Sequence, residues 1–298
     1  MNEPFQYEPI FVGPPGQPAP ARIAHHHHEA GLQLARKGEF AKAIREFDEA
    51  VRLQPAFVKA INNRGYARAA LKDYAAAIAD FNRAIELDPQ FAAAFNNRGL
   101  VHIARKHYAE AEADCEKALA LDPAIALAWH NRGLARLALG RNLEALPDLA
   151  HAIRLAPKLA NAHHNRGVCH TGLGEFELAV ADYDAEIVLA PKRAVAFFNR
   201  GFVNSIRGEW VLAVNDYSRA LQLDPQFADA WVNRGELFRL RGDLIRAIAD
   251  FTAAIRSAPG SPRAYALRGE CHGVRNDSAA ALADSLEAAR LLRERKHF

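Results

Sequence analysis

The tripeptide Asn-Arg-Gly occurs six times in this chain, and each copy begins 34 residues after the one before it. The copies begin at Asn63, Asn97, Asn131, Asn165, Asn199 and Asn233. Prolines keep the same step from Pro55 to Pro259, and alanines keep it from Ala43 to Ala281. A fixed period of this length is typical of a repeat array, in which each unit buries its apolar face against its neighbours. The period therefore constrains the fold more than any single motif does.

Eight repeats are predicted to fill residues 24–295 with no insertion. We number the positions of each repeat from 1 to 34, with position 1 of the first repeat at residue 24. The predicted repeats are 24–57, 58–91, 92–125, 126–159, 160–193, 194–227, 228–261 and 262–295. Residues 1–23 precede them as a proline-rich extension, which we expect to be flexible. The last repeat has no proline at position 32 and ends in charged residues, so we expect it to cap the array.

Each repeat has the pattern of two helices joined by a tight turn. Apolar residues recur at helical spacing in positions 1–14 and again in positions 18–31, and the proline at position 32 stops the second helix. Small residues at positions 8 and 20 allow the two helices to approach, and large residues at positions 4 and 24 fill the space around them. We therefore predict an all-α fold. Pro147 falls near the first turn of one second helix and is expected to shift the start of that helix.

This pattern resembles the tetratricopeptide repeat family, whose motif has a large residue at position 4, Gly at 8, Ala at 20, an aromatic at 24, Ala at 27 and Pro at 32. The resemblance implies a right-handed α-solenoid, a superhelix of helix-turn-helix repeats whose first helices line a concave groove. It also implies a scaffold for protein–protein interactions. Departures are local: position 7 is Arg in seven repeats, position 11 is mostly polar, and position 27 is Glu186 in the fifth repeat.

Composition and motifs exclude several function classes. Lys and Arg number 38 and Asp and Glu 35, and this net charge of +3 is too small to indicate nucleic acid or an anionic membrane as a partner. No apolar stretch is long enough to span a membrane, and the first residues lack the pattern of a signal peptide, so we expect a cytoplasmic protein. No glycine-rich phosphate loop or nucleophile motif is present, so we predict neither an enzyme nor a cofactor.

The asparagines at position 6 are the first candidates for a binding site. A carboxamide both donates and accepts, so a row of them can pair with successive peptide units of an extended chain. The row resembles the asparagine ladder in the superhelix of O-linked N-acetylglucosamine transferases, which implies that these six side chains hold peptide backbone. The alternative is structural, because an amide at the edge of the groove can instead satisfy the backbone of a neighbouring repeat.

Position 9 supplies the second set of candidates. A helical wheel places it in the groove beside position 6, and it is apolar through six repeats. Five of these residues complete the predicted peptide-binding groove: Tyr66, Leu100, Leu134, Val168 and Phe202. Glu236 and Glu270 follow at the same position, which predicts an acidic C-terminal end of the groove. The alternative is that these side chains belong to the core between repeats.

Arginine at position 7 is accompanied by an acidic residue at position 23 in every repeat that carries it. In an antiparallel hairpin these positions face each other, so we predict repeated arginine–carboxylate pairs, which leave the arginines unavailable to phosphates. Histidines cluster at His25 to His28 and around His163, His164 and His170. Imidazoles suit zinc, nickel or copper, but no ligand geometry is defined, and we predict no metal site.

The sequence therefore predicts a non-catalytic scaffold that binds a protein or an extended peptide in its groove. Three further hypotheses remain open. The chain is alternatively a regulatory or targeting subunit of a larger enzyme or secretion complex, bound through the outer face of the second helices. The N-terminal extension, which contains Phe5, Tyr7, Ile10 and Phe11, is alternatively an internal occupant of the groove. Self-association through the end repeats is also open.

Overall fold

The computed structural model describes residues 19–294, and within that range the regular structure is entirely helical. It divides into two compact units, a first that ends at Pro157 and a second that begins at Lys158. The first unit contains α1 (Ala19–Arg36), α2 (Phe40–Leu53), α3 (Val58–Ala70), α4 (Tyr74–Leu87), α5 (Ala92–Ala104), α6 (Tyr108–Leu121), α7 (Ala126–Ala138) and α8 (Asn142–Leu155). The second contains α9 (Ala160–Gly172), α10 (Phe176–Leu189), α11 (Ala194–Ile206), α12 (Trp210–Leu223), α13 (Ala228–Leu240), α14 (Leu244–Ser257), α15 (Pro262–Val274) and α16 (Ser278–Glu294). Consecutive helices pair as hairpins, so the chain is an all-α solenoid.

A left-handed residue ends the turn inside each hairpin. Glycine supplies it in five repeats, with φ between +76° and +78°. The other three repeats use Lys72, Lys106 and Asn276, with φ between +62° and +64°. Glycine adopts this conformation without the steric cost that a Cβ brings, so the geometry is retained even where the sequence does not favour it.

Close helix approach within a hairpin depends on the glycine at position 8. A Cβ built on Gly65 lies 2.8 Å from Cε1 of Phe81, and one built on Gly167 lies 2.8 Å from Cε1 of Tyr183. Both aromatic side chains stand at position 24 and are buried. The glycine therefore makes room for the large residue that fills the hairpin core, as the sequence predicts.

Successive hairpins are joined through positions 21 and 10. Ile78 on α4 packs against the cluster that contains Val101 of the next repeat, and Val214 on α12 packs against the cluster that contains Leu237. Position 10 is apolar and buried in every repeat from the second to the eighth. At these two boundaries the second helix thus uses an apolar face to hold the first helix of the next hairpin, whereas α6 has Glu112 at position 21, which pairs with Arg136 of the next repeat.

Two sequence expectations differ from the structure. α1 begins at Ala19, so residues 19–23, the last of the predicted extension, are helical. Pro20 fits there because proline is tolerated in the first turn of a helix. The remainder of that extension, including any role as an occupant of the groove, lies outside the described residues. The expected shift at Pro147 was wrong: α8 begins at Asn142, in register with the other second helices. Pro147 is exposed, so its ring projects into solvent.

Two features are absent from residues 19–294. No helix in this range is both long and apolar enough to cross a bilayer. No group of three or more His, Cys, Asp or Glu side chains in the same range is placed to hold a metal ion. Cys115, Cys169 and Cys271 are buried free thiols, and burial raises the pKa of Cys115 to about 12 and that of Cys169 to about 11.

Candidate functional site

Arginine at position 7 forms an ion pair with the acidic residue at position 23 of the same repeat. Arg64 Nε donates to Asp80 Oδ2 at 3.0 Å, and Nη2 donates to Asp80 Oδ1 at 2.7 Å. Two parallel bonds of this kind match the planar guanidinium to the carboxylate. The same pairing joins Arg98 to Asp114, Arg132 to Asp148, Arg166 to Asp182, Arg200 to Asp216, Arg234 to Asp250 and Arg268 to Asp284. The predicted pairing is therefore confirmed.

The same arginines also connect adjacent repeats. The remaining guanidinium nitrogen of Arg64, Nη1, donates to Asp48 Oδ1 of the preceding repeat at 2.8 Å, and Arg98 Nη1 donates to Asn82 Oδ1 at 2.7 Å. The polar residue at position 11 adds a second donor to the position-23 carboxylate, as Arg68 Nη1 does to Asp80 Oδ2 at 2.8 Å. These guanidinium groups are committed to contacts within the protein, which accounts for the polar residues at position 11.

Within the first unit, the position-6 amides form a continuous hydrogen-bonded row with the side chains at position 5. Asn131 Nδ2 donates to Asn96 Oδ1 at 3.0 Å, across the boundary between two repeats. Asn96 Nδ2 donates to Asn97 Oδ1 at 3.4 Å, and Asn97 Nδ2 crosses the next boundary to Asn62 Oδ1 at 3.1 Å. Asn62 Nδ2 then donates to Asn63 Oδ1 at 3.3 Å. We call this set, together with its two histidine ends, the polar row.

Histidines stand at both ends of the polar row. Asn63 Nδ2 lies 2.9 Å from His28 Nε2, and His130 Nδ1 lies 3.3 Å from Asn131 Oδ1. Because an amide nitrogen only donates, His28 Nε2 must accept, which requires the neutral imidazole. Burial, with the nearby charges of His25 and Lys59, lowers the pKa of His28 to about 4. The lowered pKa and the hydrogen bond therefore both indicate that the imidazole of His28 is neutral.

In the second unit the position-6 amides have different surroundings. In the repeat that precedes Asn199, position 5 is His164, whose Nδ1 contacts the carboxylate of Glu186. In the repeat that precedes Asn233, position 5 is Phe198, whose side chain has no hydrogen-bond acceptor. Asn233 hydrogen-bonds the hydroxyl of Tyr217. At these two boundaries position 5 thus no longer supplies the amide acceptor that position-6 asparagines use in the first unit.

A concave pocket of about 600 Å³ opens beside these amides, entirely within the second unit. Its walls are mostly apolar, and two charged side chains also line it. It is lined by Val168, Thr171, Gly172, Tyr183, Phe198, Asn199, Phe202, Asp229, Asn233 and Arg263. A smaller pocket of about 210 Å³ adjoins it and shares Phe202, Asn233 and Arg263 with it. Phe202 is 41% exposed, so this predicted position-9 side chain stands open to solvent.

The expected acidic end of the groove is largely neutralised by ion pairs. Arg263 Nη2 lies 2.5 Å from Glu236 Oε2, and Arg239 Nη1 lies 3.3 Å from Glu270 Oε2. Arg239 Nη2 also lies 3.9 Å from Glu236 Oε1. The sequence expectation counted the two glutamates at position 9 and missed the arginines at positions 2 and 12 that face them. This edge of the pocket presents paired charges of both signs.

Glu186 is a fully buried carboxylate at position 27, where the other repeats have alanine. His164 Nδ1 lies 2.9 Å from its Oε2, and Arg193 Nη1 lies 3.0 Å from its Oε1. Arg193 Nη1 also donates to Asn161 Oδ1 at 2.7 Å. A buried charge needs such partners, because an unpaired one carries a large desolvation cost. His164 Nδ1 is thus engaged with Glu186 and not with an amide.

The remaining predicted residues lie in mixed surroundings. Tyr66, Leu100 and Leu134 in the first unit are half-buried, as are Asn97 of the polar row and Asn165 of the second unit. Sequence analysis missed the role of Asn62 and Asn96, which lie directly beside position-6 asparagines in two successive repeats. The sequence signal for this role was the pair of consecutive asparagines that occurs in the second repeat and again in the third.

Comparison with known structures gives the same fold. YrrB, described as a tetratricopeptide repeat protein with an unusual peptide-binding site, is 24% identical, with a TM-score of 0.53 over 62% of this chain and 95% of that one. PilF of Pseudomonas aeruginosa is 17% identical, with a TM-score of 0.64 over 70% of this chain and 95% of that one. A tetratricopeptide repeat protein from Parabacteroides merdae is 17% identical, with a TM-score of 0.58 over 84% of this chain and 99% of that one. No curated protein matches the sequence.

Family models describe the repeats directly. A "TPR repeat" model matches residues 65–105, and one "Tetratricopeptide repeat" model matches residues 92–124. A further "Tetratricopeptide repeat" model matches residues 130–194, 207–262 and 242–295, which together make up more than half of the chain. The repeats, their helical hairpins and these matches agree, and the chain belongs to the tetratricopeptide repeat family.

Proposed function

We propose that this protein is a non-catalytic interaction scaffold whose second unit binds an extended peptide segment of a partner protein. Family membership supports the general role, since tetratricopeptide repeats are typically protein-interaction scaffolds. The observation that carries the finer proposal is the pocket of about 600 Å³, which brings together two predicted amides and two predicted apolar side chains. These are Val168, Asn199, Phe202 and Asn233.

The chemistry of the pocket suits a peptide. The walls at Val168, Phe198 and Phe202 offer apolar surface to one bulky side chain of a ligand, whose burial provides the main driving force. The amides of Asn199 and Asn233 come from equivalent positions of adjacent repeats and offer both donors and acceptors to the backbone. The amides of the first unit enter this proposal only as contacts between repeats, and Tyr66, Leu100 and Leu134 with Asn165 stay predictions.

The test begins with peptides selected from a random display library on the full chain. The affinity of a selected peptide is then measured by fluorescence polarisation for the wild type and for two pocket variants. We expect Phe202→Glu to weaken binding by on the order of 30-fold or more, because it places a charge in the apolar wall. We expect Asn199→Ala to weaken it ~3–10-fold through lost backbone hydrogen bonds.

Leu143→Glu provides the matched control, because Leu143 is exposed and lies in the first unit. It should leave the affinity unchanged. Unchanged binding in both pocket variants, with circular dichroism showing an intact fold, would rule out this pocket as the peptide site.

A second candidate is an interaction through the outer face of the second helices, as in a regulatory or targeting subunit. Val211 on α12 and Ile245 on α14 support it, because both are largely exposed and occupy the same repeat position in adjacent repeats. The double variant Val211→Glu/Ile245→Glu separates the two candidates. Loss of partner binding in this variant, with binding retained in Phe202→Glu, favours the outer face.

A further inference from the structure

One of the two charged side chains in the pocket of the second unit has no partner. The two are Asp229 and Arg263. Arg263 is paired, because its Nη2 lies 2.5 Å from Glu236 Oε2. Asp229 is exposed, and within residues 19–294 its carboxylate has neither a hydrogen bond nor an ion pair. The pocket therefore offers one unpaired negative charge beside its apolar walls.

The repeat fold does not account for this carboxylate. Asp229 stands at position 2, where no other repeat has an acidic residue. It lies in the first turn of α13, and a negative charge there stabilises a helix modestly. The first helices of the other hairpins form without any acidic residue in their first turn. Asp229 is therefore a feature of this pocket and not of the repeat.

The charge balance of the pocket favours a cationic ligand group over an anionic one. An anion would have to draw Arg263 away from Glu236, whereas a cation can approach Asp229 without breaking a contact. The rings of Phe198 and Phe202 in the walls also suit a basic side chain. Aromatic rings attract cations, and the methylene stems of Lys and Arg bury well against apolar surface. Low-dielectric walls strengthen the attraction of an unpaired charge.

We propose that this pocket selects peptides that carry a lysine or arginine two residues away from a bulky apolar residue. The inference rests on the proposed function and names the class of peptide. In an extended segment, alternate side chains point to the same side and lie about 7 Å apart. Both can therefore enter one pocket, the apolar side chain against Val168 and Phe202 and the basic one at Asp229. Asn233 follows Asp229 by one turn of α13 and offers its amide to the backbone between them.

Fluorescence polarisation with peptides selected from a random library on the full chain tests the proposal. The peptides are acetylated and amidated, so that only side chains supply charge. We expect the selected peptides to share the basic and apolar pair. Replacing the basic residue of one peptide by glutamine, or changing Asp229→Asn in the protein, should each weaken binding ~5–10-fold. The two changes together should weaken it little more than either one alone, because both remove the same contact.

Reversal of the charge gives a sharper result. Asp229→Lys should weaken binding of the basic peptide by on the order of 30-fold, and it should bind a version with glutamate in place of the basic residue better than the wild type does. Glu110→Gln is the matched control, because Glu110 is an exposed carboxylate in the first turn of α6, in the first unit. It removes the same charge and should leave the affinity unchanged.

Phe202→Ala separates failure of this inference from failure of the proposed function. It removes the apolar wall without adding a carboxylate, which would itself attract a basic residue. Selected peptides without lysine or arginine overturn the inference. So does an affinity that both Asp229 variants leave unchanged while Phe202→Ala lowers it, and the pocket then stays a peptide site. An affinity that Phe202→Ala also leaves unchanged, with circular dichroism showing an intact fold, overturns the proposed function and this inference with it.

Discussion

The two units contain the same motif residue in different surroundings. In the first, asparagine at position 6 donates across a repeat boundary to an amide at position 5, as Asn97 does to Asn62 at 3.1 Å. In the second, position 5 of the preceding repeat is His164 for Asn199 and Phe198 for Asn233. His164 contacts a carboxylate, Phe198 has no acceptor, and both asparagines line the pocket. The contacts of the position-6 asparagine therefore depend on the side chain at position 5 of the preceding repeat.

The comparison shows how a repeat array acquires a local site without an insertion. Changing position 5 from Asn to Phe198 removes an acceptor and adds an apolar wall in a single step. Helical hairpins, left-handed turn residues and arginine–aspartate pairs occur in both units. The experiments below test whether the difference between the units is confined to this polar surface.

The largest expected effect comes from a residue that the units share. Phe81→Ala in the first unit and Phe251→Ala in the second each remove a fully buried position-24 ring that packs against a glycine. We expect each to lower the free energy of unfolding by ~3–5 kcal/mol, because a cavity replaces the ring. Urea unfolding followed by circular dichroism measures both. Costs that differ by more than about 2 kcal/mol would mean that the units also differ in their cores.

The second prediction separates the two roles of asparagine. Asn96→Ala removes the acceptor of Asn131 and the donor to Asn97 inside the polar row. It should cost ~1–3 kcal/mol of unfolding free energy, since buried polar groups lose their partners. Asn199→Ala should stay within ~0.5 kcal/mol, as for a surface substitution. Equal costs measured by the same urea titrations would contradict the assignment of the first amide to structure and the second to binding.

The fold could be predicted from the sequence almost completely. The 34-residue period fixes the hairpins, and the spacing of Arg64 and Asp80 across an antiparallel pair is enough to predict their contact, which the structure confirms. Pro147 shows the limit of a local rule: the helix around it keeps its register because its ring faces solvent and the packing on the other side is unchanged.

The candidate site could be predicted only in part. A helical wheel places Asn97 and Asn199 on the same face of their helices. It therefore cannot predict that Asn97 contacts the preceding repeat whereas Asn199 lines a pocket. Their difference depends on hydrogen bonds between residues 35 positions apart, such as the one from Asn97 to Asn62. The paired charges at Glu236 were missed for the same reason, because Arg263 comes from the next repeat. Contacts between repeats depend on relative placement, which a single-helix pattern does not contain.

The smallest expected effect is a pH dependence that belongs to the first unit alone. The pKa of His28 is lowered to about 4, from an ordinary value near 6.5, so the folded state binds fewer protons than the unfolded state between these pH values. The contribution is fully present above pH ~6.5 and is lost as the pH falls towards 4. At pH ~5.5 the loss amounts to about 1 kcal/mol of unfolding free energy.

His28→Gln sharpens this test, because an amide oxygen accepts the hydrogen bond from Asn63 without titrating. Urea unfolding at pH ~7 and ~5.5 should show the loss in the wild type and a smaller loss in the variant. Hydrogen exchange should place the added opening in α1 and α3, where the row begins, and leave the second unit unaffected. A wild type and a variant with the same pH dependence would show that His28 does not accept from Asn63 as a neutral imidazole, and the direction of the polar row would then have to be reversed.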